Sequence, residues 1–347
     1  MKWIWCACLL TGLFAKNAFA WSEKAATDYL DSRAAWWMNW PPAARDHGTF
    51  CISCHTAAPY ALARPASAQE GKLRDNVVKR VRQWKEVDPF YSDEERGVPK
   101  TAESRGTEAI LNALILSNYA AGAGHLDADG KLALDNLWPL QLKTGDDKGA
   151  WSWLQFHNAP WEGDSQFYGA TLAAIAIGTA PDGYRTSPEI QDGLKLLREY
   201  LVRENESQVL IDRVVLLWAS AKIPGLLNGA QRQSIVNAAL PKQQADGGFS
   251  LSSFVGAWKR HDNTPLDNKS DGYATGLVAF ALEQADLPGT RPQLERALSW
   301  LRENQEASDG RWLAYSLNKQ RDLSSDVGRF MSDAATAYAV LALKGAK

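Results

Sequence analysis

The stretch Arg296-Ala297-Leu298-Ser299-Trp300-Leu301 runs on through Gln305 to Gly310-Arg311-Trp312. Its apolar residues recur at three- and four-residue steps, the period of a half-buried helix. The glycine then breaks the helix, and an insert leads to a second helix opening on Asp333-Ala334-Ala335-Thr336. The same punctuation returns along the chain. Gly48-Thr49-Phe50, Gly149-Ala150-Trp151 and Gly247-Gly248-Phe249 each follow a helical segment. A glutamine stands upstream of three of the four copies, at Gln141, Gln244 and Gln305. Helices opening on small residues and a threonine follow the inserts, as in Tyr168-Gly169-Ala170-Thr171 and Tyr273-Ala274-Thr275. A unit that recurs in this way is the mark of a repeat architecture. Convincing alternating strands are absent. The pattern predicts an all-α chain of six helix pairs, over 23–63, 72–121, 132–178, 189–221, 230–284 and 292–344.

The stretch 296–312 resembles the QW repeat of squalene-hopene cyclases and related terpenoid cyclases; the other copies are degenerate. The resemblance implies an α/α toroid, in which outer and inner helices alternate around a central cavity. Six pairs suit one (α/α)6 ring. The catalytic acid of those cyclases lies in an Asp-x-Asp-Asp run. Neither Asp127-Ala128-Asp129-Gly130 nor the run 322–326 fits it, so squalene-hopene cyclase activity is not expected. Trp138, Trp151, Trp300 and Trp312 read as packing between outer helices rather than as a cofactor box.

Cys51-Ile52-Ser53-Cys54-His55 is a Cys-x-x-Cys-His motif, the pattern of covalent c-type haem attachment. Two thiols at this spacing add to the two vinyl groups of one porphyrin, and the histidine after them ligates the iron axially. A thioredoxin-like dithiol would need a βαβ context, which is missing. A zinc site would need two further ligands close by, and the next histidine is His125. Residues 1–20 read as a secretory signal: Lys2, an apolar run over 3–15, and an A-x-A site at Ala18-Phe19-Ala20. Lys16 leaves an uncleaved anchor as the alternative. Cleavage after Ala20 removes Cys6 and Cys8, so 21–347, a single toroid domain, keeps only the two thiols of the haem motif. The expected location is periplasmic or secreted. Net charge −2 over 347 residues gives no field for nucleic acid.

On a toroid, the haem motif falls in the insert of the first pair, on the same rim as inserts 144–164, 245–270 and 306–331. That rim supplies His261 and His157, ahead of Met331, as candidates for a sixth iron ligand, with a five-coordinate iron as the alternative, and His47 lies just ahead of the motif. His125 falls on the opposite rim. Tyr60 and Arg64 are candidates for the porphyrin edge or its propionates. Glu108, in a polar stripe with Ser104 and Asn112 on an apolar helix, is a candidate cavity acid. Asp271 and Asp333 read as N-caps, and Asp212 interrupts the apolar run 209–217. These readings converge on an exported monohaem c-type protein built on a toroid. The expected activity is electron transfer with a partner protein, or oxidoreduction of an apolar organic ligand in the cavity. The competing reading is a haem-free toroid enzyme or binding protein acting on isoprenoids or polysaccharides.

Overall fold

The computed structural model describes residues 21–65, 67–163 and 165–346; the expected signal segment 1–20 and Asp164 lie outside the described residues. Six helix pairs follow one another. The first is α1 (Glu23–Asn39) and α2 (Ala57–Ala63), with a short hairpin of β1 (Ala44–Arg45) and β2 (Thr49–Phe50) between them. The second runs from α3 (Ala68–Arg82) through one turn, α4 (Asp93–Arg96), to α5 (Lys100–Ala123). Then come α6 (Ala128–Asp135) with α7 (Phe167–Thr179), and α8 (Gln191–Glu204) with α9 (Leu210–Lys222). The last two pairs are α10 (Gly229–Ala239) with α11 (Gly272–Ala285), and α12 (Arg291–Glu303) with α13 (Phe330–Gly345).

The second member of each pair is an inner helix. Around the ring α2, α5, α7, α9, α11 and α13 pack in chain order, and α13 returns to α2. The protein is therefore a closed all-α toroid. Composition sorts the two layers. Inner α7 is buried on all sides from Phe167 to Ile177, and its sequence is apolar all round. Outer α8 buries only Leu194, Leu197, Tyr200 and Leu201 among its large residues, one stripe of an amphipathic helix. Among the described residues no helix is long and apolar enough to cross a membrane.

The repeated punctuation forms the joints between outer helices. Gln305 Nε2 donates to the carbonyls of Gly310 (2.8 Å) and of Ser22 (3.0 Å), tying the last pair to the N-terminus of α1. Gln141 Nε2 does the same to Gly149 and Gly193, both at 2.9 Å. In the fifth pair the joint is Gln243, which reaches Gly247 and Gln293, both at 2.8 Å. This corrects the expectation of Gln244, whose amide goes instead to Asn268 O (2.7 Å). The loop between glutamine and glycine changes length from copy to copy, so counting residues does not identify the partner. Gly149, Gly247 and Gly310 all take positive φ, and a Cβ on any of them would strike the backbone of the next outer helix. Trp151 and Trp312 are fully buried and donate their indole N–H to Leu137 O (2.6 Å) and Leu301 O (2.8 Å). The first pair departs from the pattern. There Asn76 of α3 clasps the N–H and C=O of Phe50, at 2.9 and 3.0 Å.

Candidate functional site

The Cys51–His55 segment is held from three sides. Cys51 N–H donates to Ala43 O (2.9 Å), and Trp37 Nε1 donates to Cys51 O (2.9 Å). Ser53 Oγ accepts from the N–H of Thr56 (3.2 Å) and of Ala57 (3.0 Å), satisfying the first turn of α2. The residues between the motif's thiols thus start a helix. The two cysteines are unpaired. Burial pushes the Cys51 thiol up to about 11 and the Cys54 thiol well above its ordinary value. Burial, with the charges of Arg33 and Arg321, holds His55 down to about 3, so its imidazole is neutral, the form that binds a metal.

The tautomer of His55 follows from its neighbours. Thr56 Oγ1 lies 2.7 Å from Asp333 Oδ2 and 2.8 Å from His55 Nδ1. A hydroxyl has one proton, and the carboxylate can only accept it. Thr56 therefore accepts from His55 Nδ1–H, and the lone pair is left on Nε2. Tyr29 and Arg33 donate to Asp333 Oδ1, at 2.7 and 2.8 Å, so the acid is fully engaged. The imidazole stacks on Phe330 (3.8 Å between centroids) and meets the Trp37 edge at 4.9 Å.

In front of the motif lies a cavity of about 790 Å³. Cys51, Cys54 and His55 form part of its wall, with Trp37, Trp40, Phe90, Tyr91, Phe156 and Trp161 giving it an aromatic lining. Arg96, Lys319 and Arg321 add three cations, and Glu162 is the acid among the described lining residues. Burial pushes Glu162 up to about 7, against a lowering by its Asn158 hydrogen bond. The volume falls in the range of small-molecule and cofactor sites, roughly 300–1,000 Å³. A covalent haem asks for two free thiols beside one histidine, apolar walls and cations near its carboxylates. The residues present fit that group.

The other residues singled out from sequence lie elsewhere. His157 and His261 pair with each other, ring centroids 5.1 Å apart, and His157 stacks on Trp258 at 4.2 Å. Neither lines the Cys51–His55 cavity. Met331 is buried and faces a smaller space of about 120 Å³ that His55 also borders. His47 stands beside Asp46 (3.5 Å). Tyr60 and Arg64 do not reach the cavity; both bond Asp31 of α1, at 2.9 and 2.8 Å. Glu108 is sealed against Arg80 (2.5 Å), off the cavity. Asp271 is an N-cap, accepting from Ala274 N–H at 2.9 Å. Asp333 is not: Arg329 precedes α13, and Asp333 sits inside its first turn, turned to Thr56. The Thr56–Asp333 pair and Glu162 were missed in the sequence. The signal for the first was an acid beside Ala334-Ala335 on a buried helix; for Glu162 there was none.

No family model and no curated protein sequence matches the chain. Among solved structures it is similar to a glycosidase variant, with TM-score 0.52 and 13% identity over 93% of this chain and 97% of that one. A glycosidase variant in complex with glucose gives 0.50 at 14% identity, over 93% and 97%. An ent-copalyl diphosphate synthase from Streptomyces platensis gives 0.48 at 13%, over 90% of this chain and 50% of that one. At these identities the glycosidase likeness shows the fold alone.

Proposed function

We propose that the chain carries one covalent c-type haem, linked through Cys51 and Cys54 with His55 as axial iron ligand, and that it works in the periplasm or outside the cell in electron transfer. In its enzymatic form it would be an oxidoreductase acting on an apolar organic ligand in the rim cavity. One observation supports the reading above the others: two unpaired thiols and a histidine of fixed tautomer share a wall of the same aromatic-lined cavity. When bound, the haem would supply a one-electron iron couple. The chain's own residues would do the rest. Asp333, through Thr56, holds the imidazole with Nε2 free. Trp37, Trp40, Phe90 and Trp161 keep water from the group. Arg96, Lys319 and Arg321 are the cations available to its carboxylates and to an electron-transfer partner.

The test is expression with a cytochrome c maturation system. The expected result is a pyridine-haemochrome band that survives acid-acetone extraction and disappears in the Cys51→Ala/Cys54→Ala variant. Absence of covalent haem from the parent chain, or its retention in that variant, would overturn the reading. A high-spin, CO-binding iron would select the enzyme, and a low-spin iron without CO response the shuttle.

A second reading is favoured by the fold comparisons: a haem-free toroid acting on a polysaccharide or isoprenoid. The glycosidase likeness supports it at the level of architecture. Glycoside hydrolysis generally uses a pair of carboxylic residues. The described wall of the Cys51–His55 cavity offers Glu162 alone, which weighs against that cavity as the hydrolytic site, whereas a pocket of about 980 Å³ beside β1 and α4 carries Asp46, Asp88, Glu94 and Glu95.

A further inference from the structure

A second pocket of about 320 Å³ lies on the same rim, beyond the loop 158–163, between the starts of α7 and α9. Its apolar wall is Pro160, Val209, Ile211, Val255 and Trp258. Three polar residues, Ser165, Ser207 and Gln208, also face it, and they satisfy one another. Ser165 Oγ donates to Gln208 Oε1 (2.9 Å), and Gln208 Nε2 donates to Ser207 Oγ (3.0 Å). The remaining group is Asp212. Its side chain is 8% exposed, and Oδ1 is buried with no hydrogen-bond partner. No lysine or arginine is among the described residues lining the pocket. Neighbouring Arg213 turns away, to Asn205 Oδ1 (3.3 Å).

A buried carboxyl is costly to ionise unless a cation meets it. Two other buried acids of this protein meet one, Glu108 with Arg80 and Asp333 with Arg33, while Asp271 is met by backbone N–H groups of Leu251 and Ala274. Of these acids, Asp212 alone is met by neither among the described residues, and burial by itself pushes it up to about 8. The complement to this pocket is a molecule that brings one positive charge for Asp212 and an apolar body for the walls. Trp258, one face of which His157 covers, lines the same pocket as the carboxylate, and an ammonium group is drawn to aromatic rings.

We propose that the Asp212 pocket is a binding site for a small organic ammonium compound with an apolar body, distinct from the Cys51–His55 cavity. The site needs no haem, so its test stands apart from the redox reading. Isothermal calorimetry on the isolated full chain would compare benzylammonium with benzyl alcohol, a neutral analogue of similar size. The expected result is 1:1 binding of benzylammonium, at least tenfold tighter than benzyl alcohol. Asp212→Asn should weaken it at least tenfold. Val209→Trp, at the half-exposed mouth, should abolish it, and this variant keeps the test open if Asp212→Asn fails to fold. Equal binding of the alcohol, unchanged binding in either folded variant, or no binding of benzylammonium at millimolar concentration would overturn the proposal.

Discussion

Thr56 is the residue on which the His55 environment turns. Thr56→Val removes the acceptor for Nδ1–H and leaves Asp333 Oδ2 without its donor, inside a site where Asp333 is 1% exposed. Leaving such a group unpaired costs about 1–3 kcal/mol, which thermal unfolding would read directly. Thr56→Ser should restore most of it. Under the proposed haem reading, Thr56→Val should raise the midpoint potential, because an imidazole that no longer donates from Nδ1 would be a poorer electron donor to the iron. An unchanged potential in a folded Thr56→Val variant would count against Asp333 acting through Thr56. Asp212 gives a pH test. Its folded value is raised to about 8 by burial, far above the ordinary carboxylate value. The folded state therefore holds a proton that the unfolded chain has released, and stability from this group falls as pH climbs from about 4 to about 8. Asn mimics the protonated acid. Without ligand, Asp212→Asn should gain on the parent chain by up to about 1.4 kcal/mol per pH unit across that window. Parallel stability curves for the two proteins would contradict the assignment.

At the scale of elements the joints decide. Gly310 has φ +80, and a Cβ there would lie 2.4 Å from the Ala25 backbone carbon of α1. Gly48 also has positive φ, +64, but meets nothing within 4 Å. Both carry the left-handed penalty of about 1–2 kcal/mol for an alanine, but only Gly310 adds a backbone collision. Gly310→Ala should therefore lower stability by about 1–3 kcal/mol more than Gly48→Ala, measured by denaturant midpoints. The glycines and tryptophans of these joints were legible in the sequence because their roles are local: a break in a helix and a buried ring. The glutamine of the fifth pair was not, since Gln243 and Gln244 differ only in which carbonyls they reach. The hairpin β1–β2 was also illegible. Each strand is two residues long, too short for any alternation to show. At the site, the Cys-x-x-Cys-His pattern was legible by its spacing alone. Its partners were not, because Asp333, on α13 with Phe330, lies 277 residues beyond Thr56 and meets it only when the ring closes, and Glu162 comes from a third segment.

At the scale of the molecule, closure distinguishes this ring from an open stack of helix pairs. The last inner helix packs on the first, and Gln305 ties the last outer helix to the residue preceding α1. Every pair then has two neighbours, and no free end can fray as it does in a solenoid. The described body should unfold in a single calorimetric transition, with van't Hoff and calorimetric enthalpies equal; two resolved transitions would contradict this. The number and order of the pairs were visible in the sequence, whereas closure was inferred only through resemblance, since no residue announces a contact across the whole chain. That contact sets a sequence of events. Thr56 and the acid that holds it are 277 residues apart. On a chain delivered from its N-terminus, by a ribosome or by an export channel, Cys51 and Cys54 emerge before Asp333 arrives to settle the histidine beside them. Until the final helix packs on α2, the wall that carries the two thiols is an unfinished arc, and its closing is the last act of folding.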